Sequence, residues 1–146
     1  MNVWLCPVKP RNWRIIKNVK LFGAPKHAAK IMNQLQPGDL LLFHVLKPIN
    51  GIVAVCKIES QVFEDYTDIW GKDRYPLRVK IKFIQDLTAD GKKPVPLSLL
   101  FREMKTPGEM VIEPYLKNVW ITKISKRQFY KVINFSQKQS FNKNLK

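Results

Sequence analysis

At 146 residues the chain is long enough for one domain with a substantial hydrophobic core and too short for two comfortable ones. A hydrophobic content of 45% excludes a disordered tail, and 26 Lys and Arg against 11 Asp and Glu give a net charge of +15, which attracts polyanions by steering and counterion release. No apolar run approaches the roughly 18 residues that span a bilayer, the N-terminus lacks the long apolar segment of a signal peptide, and no disulfide framework is present, so a cytoplasmic protein without a membrane contact is expected.

Asn2 to Val8 reads as a first strand, ended by Pro7 and Pro10, and Pro10 is well placed to start a short helix over Arg11 to Asn18. Val19 to Phe22 is a brief apolar strand stopped by Gly23-Ala24-Pro25. A helix follows from Lys26 to Leu35, where Ala28, Ala29, Met32 and Leu35 form a stripe. Pro37-Gly38-Asp39 signals a turn into Leu40 to Leu46, an unbroken apolar run of the kind buried on both faces. Asn50-Gly51 favours positive φ, which makes Gly51 to Ser60 the second arm of a hairpin. A loop over Gln61 to Arg74 leads to a strand reaching about Gln85, and Asp90 to Pro94 is a turn. Pro96 to Met104 reads as a short helix ended by Thr106-Pro107-Gly108. Trp120 to Thr122 reads as a last strand, and Ser125 caps a terminal helix to about Asn134. One domain over 1–135 is expected, with 136–146 a frayed basic tail that has little to bury.

The most informative stretch is Tyr66 to Phe83. Leu77, Val79, Ile81 and Phe83 alternate with Arg78, Lys80 and Lys82, so one face meets a core and the other water. Ahead of this strand, Trp70 and Tyr75 lie in a loop among Lys72, Asp73 and Arg74. Exposed aromatics beside cations on a rigid scaffold hold flat π-systems such as nucleobases. A solvated, purely structural loop and a Lys-rich surface serving only solubility are the competing explanations.

Chemistry-bearing groups elsewhere point less clearly. Cys6 and Cys56 sit in apolar strand contexts without a CxxC partner and are expected to be buried, reduced thiols. His44 in LLLFHVL suits a core histidine, and nothing in sequence sets it against a cysteine as a nucleophilic pair. Glu64, Asp65, Asp68 and Asp73 are irregularly spaced among cations, which favours a solvated loop over a metal site. Phosphate-loop, dinucleotide, nucleophile-elbow and zinc signatures are all missing. The expectation is therefore no enzyme, no cofactor and no metal.

Taken in order, WLCPV at Trp4 to Val8, Asn12-Trp13, FGAP at Phe22 to Pro25, PGDLLLF at Pro37 to Phe43, GIVAV at Gly51 to Val55 and the Trp70 to Ile81 run resemble the EVE domain family. That family belongs to the PUA-like superfamily and is related to the YTH domains, which read methylated adenine in RNA. The resemblance covers about residues 1 to 135. It implies an α+β fold, a small twisted, mostly antiparallel barrel of five or six strands with helices packed outside, and a surface pocket for a flipped base. By position it implies Phe22 and Trp70 as stacking walls, Asn12 at the base edge and the Gly23 backbone near an exocyclic group. Phe22 stands where the YTH pattern has tryptophan, which reduces stacking area. Trp13 and Tyr75 complete the candidate base-binding set, and Lys26, Lys72, Arg74 and Arg78 are the candidate phosphate contacts. Phe22 and Trp13 could equally be packing residues, and Asn12 could serve only the first turn of its helix. The expected protein is a monomeric nucleic-acid-binding module, for DNA or RNA, that reads a modified base. A PUA-like RNA-binding accessory without base selection and an unrecognised nucleic-acid-modifying enzyme are the alternatives.

Overall fold

The structure, a computed structural model, describes residues 1–72, 74–101 and 121–144. Its seven strands are β1 (Val3–Val8), β2 (Leu21–Ala24), β3 (Leu40–Val45), β4 (Gly51–Ile58), β5 (Phe63–Glu64), β6 (Leu77–Asp86) and β7 (Thr122–Ile124). They form one curled sheet in the order β2-β6-β4-β3-β1-β7, with β5 on β6. Only β1 against β3 is parallel among these pairings. The expected mostly antiparallel α+β architecture is therefore present, as a half-barrel. The helices α1 (Pro10–Val19), α2 (Ala29–Met32), α3 (Ser98–Phe101) and α4 (Lys126–Asn144) pack outside it.

Two hydrophobic clusters explain the strand patterns. Trp4, Cys6, Leu41, Phe43 and Cys56 enter one cluster with Trp13 and Ile16 of α1. Val3, Leu5, Leu42, Ile52 and Val55 enter the other with Leu100 of α3 and Val132 of α4. Strands β1, β3 and β4 thus have a core on each face, and their sequences are apolar nearly throughout. Val53 and Ala54, neighbours in β4, both join the first cluster. Opposite them the register jumps from Phe43↔Ala54 to His44↔Ile52, so Val53 is the extra residue of a bulge. From Val79 onward β6 alternates as expected, with Lys80 and Lys82 exposed.

Several boundaries shift for local reasons. Helix α1 runs to Val19, and Lys20 in the left-handed region (φ 57°) donates its N–H to the Ile16 carbonyl, so the next strand starts only at Leu21. Pro7 lies within β1, paired in register with His44. The Lys26 segment begins as a 3-10 turn over Lys26–Ala28, and α2 ends at Met32 rather than Leu35. The terminal helix continues past Asn134 to Asn144. Ser136 is buried and its hydroxyl donates to the Leu87 carbonyl, while the Gln139 amide brackets Lys93 by accepting from its N–H at 2.9 Å and donating to its C=O at 3.0 Å. Met104, the expected stop at Thr106 to Gly108, and Trp120 lie outside the described residues.

Candidate nucleic-acid interface

Helix α1, the end of β2 and the loop from Asp65 to Pro76 meet at one corner of the half-barrel. Asn12 lies on the buried side of α1 with Trp13 and Ile16. Gly23 on β2 pairs with Arg78 on β6. The Trp70 indole lies directly on Gly23: a Cβ there would stand 2.8 Å from two indole ring carbons and 2.9 Å from the Tyr75 Cβ. Glycine is required because the ring occupies the space of any side chain. Next to it, Gly71 has φ +66°, and a Cβ there would meet the Arg11 guanidinium at 2.8 Å.

Burial corrects the exposed-loop expectation for Trp70 and Tyr75. Trp70 is 1% exposed and Phe22 2% exposed, so neither offers a face to solvent. Phe22 packs edge-on against Phe43 at 5.6 Å between ring centres and belongs to the core. Trp70 packs against Tyr75 at 5.7 Å, and the Arg78 guanidinium lies 5.1 Å from the Trp70 ring centre. The indole N–H of Trp70 is buried with no hydrogen-bond partner. The outcome is a closed recess: Gly23 as floor, Tyr75 and Arg78 as walls, and the protein's own indole as its filling.

Arg78 departs from the alternation that placed it with Lys80 and Lys82 on the wet face. It is 2% exposed, because its side chain holds the loop together. Its Nε donates to the Tyr75 carbonyl at 2.9 Å, a second nitrogen donates to the Thr67 carbonyl, and the Asp65 carboxylate lies 3.4 Å away. Stacking on Trp70 adds an apolar reason for burial, since guanidinium is weakly hydrated and planar. Arg78 therefore does not face solvent as a phosphate contact would. Lys26, Lys72 and Arg74 are exposed.

Two residues outside the candidate set belong to this corner. Tyr66 is 61% exposed, hydrogen-bonds Glu64 through its hydroxyl at 3.2 Å and lies under the Lys26 ammonium at 5.9 Å from the ring centre. The Lys26 pKa is raised, first by hydrogen bonding to Tyr66 and then by the charges of Tyr66 and Glu64. Arg11 abuts Gly71, as above. The loop carboxylates are occupied locally: Asp65 accepts from the N–H and hydroxyl of Thr67, which hold its pKa below the ordinary value, and Asp68 accepts from the Gly71 N–H. The crevice among these residues measures only about 30 Å³. Among the described residues no cluster of His, Cys, Asp and Glu has the arrangement of a metal site.

Trp13 lies elsewhere. Its ring packs on Phe43 at 5.2 Å and on Phe83 at 5.8 Å, with Lys17 over it, and it lines a different cleft between α1 and β6. Cys6 and Cys56 are both free and buried. Burial pushes the Cys56 thiol up to about 12, and burial followed by the nearby Cys56 holds Cys6 well above the usual thiol range, so both stay protonated at neutral pH. Burial also lowers His44 to about 4. No helix among the described residues is long and apolar enough to cross a membrane.

The architecture has close counterparts. A protein from Leishmania major superposes with a TM-score of 0.68 at 17% identity, covering 96% of this chain and 97% of the other. Human THYN1, solved with DNA containing 5-methylcytosine, gives a TM-score of 0.65 at 13% identity over 93% of this chain and 98% of its own. The YTH domain of Zygosaccharomyces rouxii MRB1, solved with N6-methyladenosine RNA, gives 0.63 at 16% identity over 92% and 86%. In sequence, a UPF0310 protein of Pyrococcus abyssi is 30% identical over 125 residues, 76% of this chain and 87% of its own length. A UPF0310 protein of Pyrococcus horikoshii is 32% identical over 100 residues, 58% of this chain and 68% of its own. The EVE domain matches residues 2–135, from the start of β1 into α4, and with that extent of agreement in sequence and fold the chain belongs to the EVE domain family.

Proposed function

We propose that this protein binds nucleic acid and reads a single extruded, modified base at the recess over Gly23. The observation that carries this reading is the Trp70 indole itself: a flat ring on a bare glycine backbone, walled by Tyr75 and Arg78, with a buried N–H that bonds nothing. In this reading a base takes the place of the indole, Trp70 turns to stack on it, Tyr75 stays as a wall and Phe22 backs the recess from the core. Asn12 and the Gly23 backbone supply the polar edge. Lys26, Lys72 and Arg74 hold the flanking phosphates, with exposed Tyr66 as a further stacking face. Solved relatives of the same fold carry methylated DNA or RNA, which supports the ligand class.

The energetics are close to balanced. Uncovering the indole costs about 1.5 to 3 kcal/mol, and a base stacked on it returns about 1 to 3 kcal/mol. Affinity must then come from the cations, and selectivity from hydrogen bonds at the base edge, which a wrong base leaves unpaired. A panel of oligonucleotides differing in one modified base, titrated at fixed salt, tests this. One modification should be preferred by about tenfold. Trp70→Ala removes both the cost of moving the indole and the stacking it returns, so total affinity and the salt slope should change little while the preference for one modified base is lost. Equal affinity for every base in the panel would mean charge-driven binding without base reading.

A further inference from the structure

A second cleft, distinct from the Trp70 recess, lies between α1 and β6 and measures about 630 Å³. That is within the range of small-molecule sites and far above the crevice beside Tyr66. Pro10, Trp13, Arg14 and Lys17 all line it. Their spacing of three, four and seven residues puts them along one face of α1. Trp13 and the half-buried Phe83 meet at 71°, so the two rings form an aromatic corner. The Lys17 ammonium lies 5.7 Å from the Trp13 ring centre, and Arg14 is exposed one turn before it. Asp86 also lines the cleft, but its carboxylate already accepts from the N–H and hydroxyl of Thr88, at 2.8 and 2.7 Å. Ile49 and Pro94 close the other end and are shared with an adjoining cavity of about 460 Å³ that reaches Phe135 and Gln139 on α4.

At the floor the half-buried Phe83 ring meets the edge of Trp13, which is 7% exposed, and with paired cations at one rim this matches one chemistry: a flat ring system bearing an anionic group at a short distance. A carboxylate-rich peptide would use the cations and leave the corner empty, and a purely apolar ligand would do the reverse. We propose that this cleft is a second ligand site that takes a nucleotide, with the base on the Trp13–Phe83 corner and the phosphate on Arg14 and Lys17. The nucleotide is either free or one unit of a bound strand that continues past Ile49 and Pro94. The site shares no proposed contact with the Trp70 recess and does not depend on base reading there.

The test follows the Trp13 indole N–H in the NMR spectrum of the full chain. Adenosine 5′-monophosphate should shift it saturably, and adenosine, which lacks the phosphate, should bind about tenfold more weakly. The double variant R14A/K17A changes only exposed side chains, so its spectrum should stay folded while its affinity for the monophosphate falls about tenfold to the level of adenosine. A saturable shift with a short single-stranded oligonucleotide alone, lost in R14A/K17A, would assign the site to a strand rather than to a free nucleotide. No saturable shift with either probe, or a shift that R14A/K17A retains in full, would overturn the proposal. Loss of modified-base preference in Trp70→Ala with an intact Trp13 response would separate the two sites.

Discussion

Among single residues, buried polar groups set the chemistry of this corner and of the core. Arg78 is worth more to the loop than to any ligand, because its removal would strand the Tyr75 and Thr67 carbonyls that it bonds. His44 is the other case. It sits fully buried on β3, both ring nitrogens lack partners, and burial brings it from an ordinary 6.5 to about 4. Between those values the unfolded chain binds a proton that the fold refuses, so stability falls as pH falls through this window and is indifferent to pH above it. Denaturant unfolding should show a loss of roughly 1.5 kcal/mol between about pH 6.5 and pH 5, absent in His44→Gln. Asp65 acts in a lower window: its depressed pKa contributes stability above the ordinary carboxylate range, lost only as pH falls through its folded value. A flat profile in the upper window would mean that His44 accepts its proton in the fold.

At the level of elements, caps and clamps decide where helices begin and how far they run. Ser125 and Gln128 form a reciprocal cap on α4, with the hydroxyl accepting from the Gln128 N–H at 3.0 Å and the Gln128 side chain accepting from the Ser125 N–H at 2.9 Å. The same side chain reaches the Leu100 carbonyl, tying α4 to α3. Beyond Asn134 the helix is held by tertiary contacts: the buried Ser136 and the Gln139 bracket on Lys93. Gln139→Ala should therefore lower stability by about 1 kcal/mol, because two hydrogen bonds to one backbone position are lost at an exposed site. Thermal unfolding with amide exchange at Lys93 checks this. Unchanged stability together with unchanged protection at Lys93 would show that the bracket contributes nothing in solution.

For the whole molecule, the net charge of +15 makes association with a polyanion strongly dependent on salt. Lys26, Lys72 and Arg74 are exposed, whereas Arg78 is buried in the loop. Charge reversal at Lys72 and Arg74 should flatten the plot of log affinity against log salt by about one unit per lost phosphate contact, with little change in folding stability. Binding titrations across a salt series check this, and an unaltered slope would place the phosphate contacts elsewhere on the molecule.

The sequence by itself determined the succession of strands along the chain apart from β5, the Asn50-Gly51 hairpin, the Ser125 cap and the double-sided burial of β3, since each is written in local turn chemistry or in a period that needs no partner to be read. It also set Trp70, Gly23 and Asn12 apart through their place in the EVE pattern. Tertiary structure alone decided how these residues face. Alternation placed Arg78 in water, yet a neighbouring indole and two loop carbonyls bury it, and a period of two carries no information about a loop folding back over the strand. Trp70 follows the same logic: a tryptophan among charges reads as exposed until a glycine on a distant strand offers it a seat. Tyr66 is the exposed aromatic of the loop, and the Lys26 ammonium over its ring comes from forty residues earlier in the chain, a pairing that only the fold brings about. Trp13 lines the second cleft because the fold sets α1 against Phe83 of β6, a contact between residues seventy positions apart.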